Sequence, residues 1–128
     1  MENAVKSFKD LLVWHKAMEL TNAVYDITDK YPGKEVYTIT SQMRRSAISV
    51  PSNIAEGQQR QHAKEFVQFL NIARGSLAEL ETQMLIAFGR KYHSETEHTS
   101  CDQLMTEIGR MLNGLIRSIS NKQNATTN

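Results

Sequence analysis

An all-α fold, an antiparallel up-down-up-down bundle of four amphipathic helices, follows from three features of this chain. Apolar residues recur at alternating steps of three and four along most of its length, the spacing that keeps a stripe on one face of a helix. No segment shows the period of two that a half-buried strand requires. Only two prolines and six glycines occur in 128 residues, too little turn chemistry for a β-rich chain.

The first helix carries Val13, Ala17, Leu20, Val24, Ile27 and Tyr31 on one stripe, with Asp10 as the expected N-cap and Pro32-Gly33 as the stop. The second carries Ile39, Met43, Ala47, Val50 and Ile54, with Thr38 or Thr40 at its start. Pro51 lies inside that stripe, where it cannot donate to the Ala47 carbonyl and its ring crowds that group. Two readings follow: a helix kinked at the proline, or a break after which Asn53 caps a new helix with Glu56 at its third position. The apolar phase carries across Pro51, which favours the kinked helix, and Gly57 is then its C-terminal glycine.

The third helix has the longest pattern, through Phe66, Leu70, Ala73, Leu77, Leu80, Met84 and Ala87, ending near Gly89. Phe69, Ile72, Leu85 and Phe88 widen its apolar face. The fourth runs through Leu104, Ile108, Met111, Leu112, Leu115 and Ile119, after the capping sequence Ser94-Glu95-Thr96-Glu97. Gly75, Gly109 and Gly114 disfavour helix unless backbones approach closely there. The expected organisation is one bundle over residues 8–120, with flexible ends at 1–7 and 121–128. The apolar faces exceed what four helices cover, so self-association into a ring-like oligomer is expected.

Composition narrows the function classes. A hydrophobic content of 40% and a charged content of 23% suit a folded domain. The formal net charge of +1 gives no general attraction to nucleic acid or to an anionic membrane, so a basic function must come from local clustering. The single cysteine excludes an internal disulfide, and no apolar run is long enough to span a bilayer, so a cytoplasmic protein with no membrane partner is expected.

Catalytic chemistry has little to stand on. There is no glycine-rich phosphate loop, zinc-binding HExxH helix, nucleophile elbow or paired CxxC, so no enzyme activity, metal or cofactor is expected. Cys101 lies in a polar stretch beside Asp102, which does not activate a thiol. His93 and His98 fall in the third link and read as solvated; Glu95 or Glu97 would have to complete any metal site there. Arg90 and His93 are closer together than the arginine–histidine pairs of small helical ribonucleases. Glu79 and Glu81 project about 200° apart on a helix and do not make a carboxylate pair.

The cations are more informative. Arg44, Arg45, Arg60, Lys64 and Arg74 all fall in the second and third helices and their link, near few acids. They form the candidate nucleic-acid-binding set, because a local basic surface neutralises phosphates even at near-zero net charge. The competing reading has these arginines bridging to Glu56, Glu79 and Glu81 within or between subunits.

Three segments go further than helical periodicity. Residues 8–14 resemble the opening FxDLxVW, residues 40–57 resemble TSQxRRAAxSxPSNIAEG, and residues 64–83 resemble KEFxxFLxIARGSLxELETQ. Together they identify a resemblance, from about residue 8 to 120, to the bacterial four-helix-bundle proteins named after the intervening sequences of 23S rRNA genes, often called ribosomal proteins. The resemblance implies a homopentameric barrel with a central channel. It also implies kinship with the accessory variability determinant of diversity-generating retroelements, a pentamer that binds nucleic acid (RNA or DNA) and a reverse transcriptase. Gln59 stands where that family commonly has glycine, and Gln61 where a second basic residue is frequent. His62 replaces the usual Ser or Thr cap of the third helix, which predicts a weaker helix start.

Overall fold

The computed structural model describes residues 5–127, with side chains placed through Asn124. Four helices account for almost all of it: α1 (Leu12–Thr28), α2 (Ile39–Gln58), α3 (Ala63–Gly89) and α4 (Glu95–Thr127). Short 3-10 turns precede α1 at Phe8–Asp10 and α2 at Gly33–Glu35, and no strand occurs among the described residues. Each helix packs on its neighbours in sequence and α1 closes on α4, while the backbones of the diagonal pairs stay farther apart among the described residues. The pairings are antiparallel. Thr21 and Thr28 of α1 meet Ala47 and Arg44 of α2. Ser49 meets Ser76 across α2 and α3, Arg74 meets Asn113 across α3 and α4, and Lys16 meets Glu107 across α1 and α4.

The apolar stripes form the core. Val13, Ala17, Leu20, Val24, Ile27 and Tyr31 are all buried, as are Met43, Ala47, Val50 and Ile54 of α2 and the α3 series from Leu70 to Ala87. On α4 the stripe is displaced from the expected one: Cys101 and Met105 are buried with Ile108 and Leu112, while Leu104, Met111, Leu115 and Ile119 only flank the core. Cys101 therefore sits inside the bundle although the stretch around it is polar. Its polar neighbours Asp102 and Gln103 point outward by the helical period.

Helix ends follow local chemistry, with some differences from expectation. Asp10 does not cap α1. It accepts from the Lys6 and Ser7 amides while Ser7 Oγ accepts from Lys9 N, so the capping box closes the preceding 3-10 turn. Thr38 occupies the N-cap position of α2 without capping, because its hydroxyl donates to Glu35. His62 likewise makes no side-chain cap at α3. Ser94 and Glu97 form the expected box at α4, Ser94 Oγ accepting from Glu97 N at 3.1 Å and Ser94 N donating to Glu97 Oε1 at 2.9 Å. Residues 1–4 and 128, assigned to flexible ends, lie outside the described residues, and α4 continues past Ser120 to Thr127.

Helix α2 runs unbroken through Pro51. Thr21 Oγ1 lies 3.0 Å from Ala47 O, the carbonyl that Pro51 cannot serve, and 2.8 Å from its own Ala17 O. Asn53 caps nothing; its amide donates to Ser49 O and Ser49 Oγ. Gly57 lies near the end of α2, as expected, one residue before its last, but without the positive φ of a C-terminal turn. A Cβ there would come 2.7 Å from Phe69 Cβ, so this glycine lets α2 approach α3. Gly75 and Gly114 have open space around them, so the close approach expected at those positions is absent.

Candidate nucleic-acid interface

The five sequence-predicted cations do not converge. Arg44 turns toward α1: its Nε donates to Thr28 Oγ1 at 2.9 Å, a terminal nitrogen pairs with Asp29 at 2.8 Å, and its guanidinium lies 4.6 Å from the Tyr25 ring. Arg60 is paired with Glu56 one turn earlier at 3.0 Å and stacks on Phe69 at 4.8 Å. Both charges are compensated within the subunit. Arg45, a rotation of about 100° from Arg44 by the helical period, instead lines a polar cleft between α2 and α3 with Tyr37, Ser49, Ser76, Glu79 and Gln83. Among the described residues no ion pair joins Glu79 or Glu81 to an arginine.

Arg74 projects from the other side of α3, toward α4. Arg74 spans the seam to α4, donating to Asn113 Oδ1 at 2.8 Å and to Asn71 Oδ1 at 2.7 Å. Both partners are neutral amides, so they orient the guanidinium and leave its charge uncompensated. Lys64 precedes Asn71 by seven residues and lies on the same stripe.

The continuation of this basic seam lies on α4, which the sequence reading passed over. Arg110 and Arg117 are seven residues apart, within about 20° of the same face, with Asn113 between them. Both are exposed and neither has a hydrogen bond or ion pair among the described residues. The acids of α4 are Glu95, Glu97, Asp102 and Glu107, all in its first half, whereas 108–128 holds Arg110, Arg117 and Lys122 and no acid. That asymmetry was present in the sequence as an acid-free run, but it is diluted by a helix whose mean charge is near neutral. Helix-dipole stabilisation does not account for Arg110 and Arg117, because it acts only within the last turn and both lie well inside a helix ending at Thr127.

A second cluster occupies the end of the bundle where the α1–α2 and α3–α4 connections meet. His93, expected to be solvated, is 7% exposed. Tyr31 Oη lies 2.6 Å from its Nδ1, and His98 Nδ1 lies 3.0 Å from its Nε2. Burial, then the neighbouring His98, hold His93 below the usual histidine range, against the pull of Glu97. Burial raises the Tyr31 phenol and pushes the Cys101 thiol up to about 11, so Cys101 is not a ready nucleophile. Glu97 is held below the usual carboxylate range by its hydrogen bond from Lys30 and by the Ser94 amide. Glu35 is lowered by hydrogen bonds from Thr38 and Tyr92. Among the described residues no group of three or more His, Cys, Asp or Glu side chains is arranged to hold a metal ion, and no helix is long and apolar enough to cross a membrane.

Comparison with known proteins places this geometry in context. A family model described as "23S rRNA-intervening sequence protein" matches residues 9–114. Among solved structures, a protein of unknown function from the S23 ribosomal protein family of Bacteroides thetaiotaomicron superposes with a TM-score of 0.77. The two are 24% identical, and the alignment covers 83% of this chain and 96% of that one, a likeness that establishes the fold. No curated protein matches the chain.

Proposed function

The chain belongs to the 23S rRNA-intervening sequence protein family, and on that basis we propose that it is a non-catalytic, homo-oligomeric protein that binds RNA or another nucleic acid along the α3–α4 seam. The observation that carries this reading is the acid-free half of α4, whose Arg110 and Arg117 flank the Asn113 that holds Arg74 of α3. Uncompensated guanidinium groups on a helix surface match the phosphate backbone, which is bound mainly through charge and independently of sequence. Arg44 and Arg60 leave the candidate set because Asp29 and Glu56 already satisfy them.

The α2–α3 face is assigned to self-association, as a ring of five copies in the arrangement the family resemblance implies. Tyr37 is 91% exposed there, with Ile72 at 51% and Ile86 at 53%, and Arg45 and Glu79 line the same cleft without pairing to each other. Exposed apolar side chains flanked by unmatched charges are what a second copy would cover.

Filter binding to a structured RNA at low and moderate salt tests the first assignment. The Arg74→Ala, Arg110→Ala, Arg117→Ala triple variant should bind weakly, and Arg44→Ala should bind as the native chain does. Equal binding by the triple variant and the native chain would overturn it. If the protein is instead an adaptor for other proteins, Arg45→Ala lowers the mass seen by light scattering while no salt-sensitive RNA binding occurs at all.

A further inference from the structure

At the end of the bundle, Tyr31, His93 and His98 form a hydrogen-bonded chain leading from the interior to the surface. The two imidazole rings are nearly parallel, 7° apart with centroids at 5.2 Å, and Phe88 of α3 lies against His98 at 4.5 Å. Each of the two gaps in this chain holds one proton. With neutral rings the arrangement closes: Tyr31 donates to His93 and His93 to His98, or both donations run in reverse. One added proton is accommodated by choosing which ring bears two N–H groups. A second is not, because with both rings cationic the 3.0 Å gap brings two N–H donors face to face.

We propose that the His93–His98 pair is a pH-operated latch, which on full protonation parts His93 of the α3–α4 connection from His98 of α4 and opens the packing at this end of the bundle. Among the surrounding groups only Glu97 favours charge on the pair, and its pull is outweighed at His93 by burial and by His98. Tyr31 of the α1–α2 connection bonds His93, Tyr92 of the α3–α4 connection packs on Tyr31, Glu97 of α4 acts on His93 and is itself paired with Lys30, and Cys101 of α4 lies near Tyr31 and Glu97. Glu97 is the nearby anion, and Lys30 already holds it. Tyr92 is engaged with Glu35, its hydroxyl donating at 2.6 Å. Tyr31 and Cys101 stay neutral in acid, since burial raises both. The latch joins two connections and the start of α4, so its opening loosens a corner of the bundle and leaves the basic seam in place.

Cys101 reports the opening directly, being 1% exposed and the single cysteine of the chain. Its reaction with 4,4′-dithiodipyridine would be followed between about pH 7.5 and 5, across the range in which histidine titrates, with each rate divided by that of a free thiol under the same conditions. The native chain should show a normalised rate that rises by about tenfold or more as pH falls, as expected for a local opening equilibrium. His98→Gln, which keeps a hydrogen-bonding side chain but cannot become cationic, should rise by a much smaller factor, left only with the burial of His93, and circular dichroism would establish that both remain helical throughout. Should His98→Gln fail to fold, His93→Gln serves the same purpose. A native rate that does not change with pH, or an equal rise in the variant, overturns the proposal.

Discussion

Pro51 removes a donor from the middle of α2, and one hydroxyl on another helix meets the loss. Thr21 Oγ1 approaches Ala47 O at 3.0 Å, sharing its proton with Ala17 O. A buried carbonyl left without a donor costs roughly 1–3 kcal/mol. Thr21→Val should therefore lower stability by about 1–2 kcal/mol in urea unfolding. The same change should be nearly neutral when combined with Pro51→Ala, because an alanine amide can serve Ala47 itself. Equal losses in both backgrounds would show that Thr21 acts through packing alone. Gly57 is the second such residue. An added methyl favours helix by up to about 1 kcal/mol, but here it meets Phe69 Cβ at 2.7 Å, an atom fixed close to the backbone. Gly57→Ala should cost about 1–3 kcal/mol, read as a lowered midpoint. His93 supplies a third prediction. Its folded pKa is depressed by burial while the unfolded value is near 6.5, so the unfolded chain takes up the proton first. The stability it contributes is present above about pH 6.5 and is lost as pH falls below it. The lowered carboxylates Glu35 and Glu97 act in the same direction but begin near the ordinary carboxylate value of about 4.3. Unfolding midpoints at intermediate acidity thus isolate the histidine, and His93→Gln should flatten that part of the profile.

At the scale of the element, the end of α3 shows what a sequence can and cannot disclose. The helix stops at Gly89, where it was expected to, but the glycine is not the residue that turns the chain. Lys91 is, with φ of 65°, while Tyr92 N donates to Ala87 O and Lys91 N to Phe88 O. A non-glycine residue there costs roughly 1–2 kcal/mol in backbone strain, partly offset by glycine's greater entropy loss. Lys91→Gly should raise stability by about 0.5–1 kcal/mol, seen as a higher thermal midpoint. The helices themselves were legible because burial follows the 3.6-residue period closely: every stripe residue expected on α1 is buried. Continuity through Pro51 was legible for the same reason. The caps were less so, since Asp10 and Thr38 each found a partner that competes with capping. On α4 the stripe was displaced because its buried face begins with Cys101 and Met105, surrounded in sequence by polar residues.

At the scale of the molecule, the candidate site was only partly legible. Linear clustering of Arg44, Arg45, Arg60, Lys64 and Arg74 suggested one patch, yet helical rotation sends Arg44 to α1, Arg45 into the α2–α3 cleft and Arg74 to α4. Nothing in a local window joins Arg74 to Arg110 and Arg117; only the antiparallel packing of α3 on α4 does. The two-face division that results leaves the basic seam and the α2–α3 face on opposite sides of α3, so the two assignments are separable by mutation. The most direct test of the central claim is the salt dependence of RNA binding. In a plot of log affinity against log salt, the native chain should show a negative slope. The Arg74→Ala, Arg110→Ala, Arg117→Ala variant should lose roughly 2–3 units of that slope, about one per phosphate contact removed, with its oligomeric mass unchanged. A native chain whose affinity does not respond to salt, or a variant with the native slope, would contradict the account.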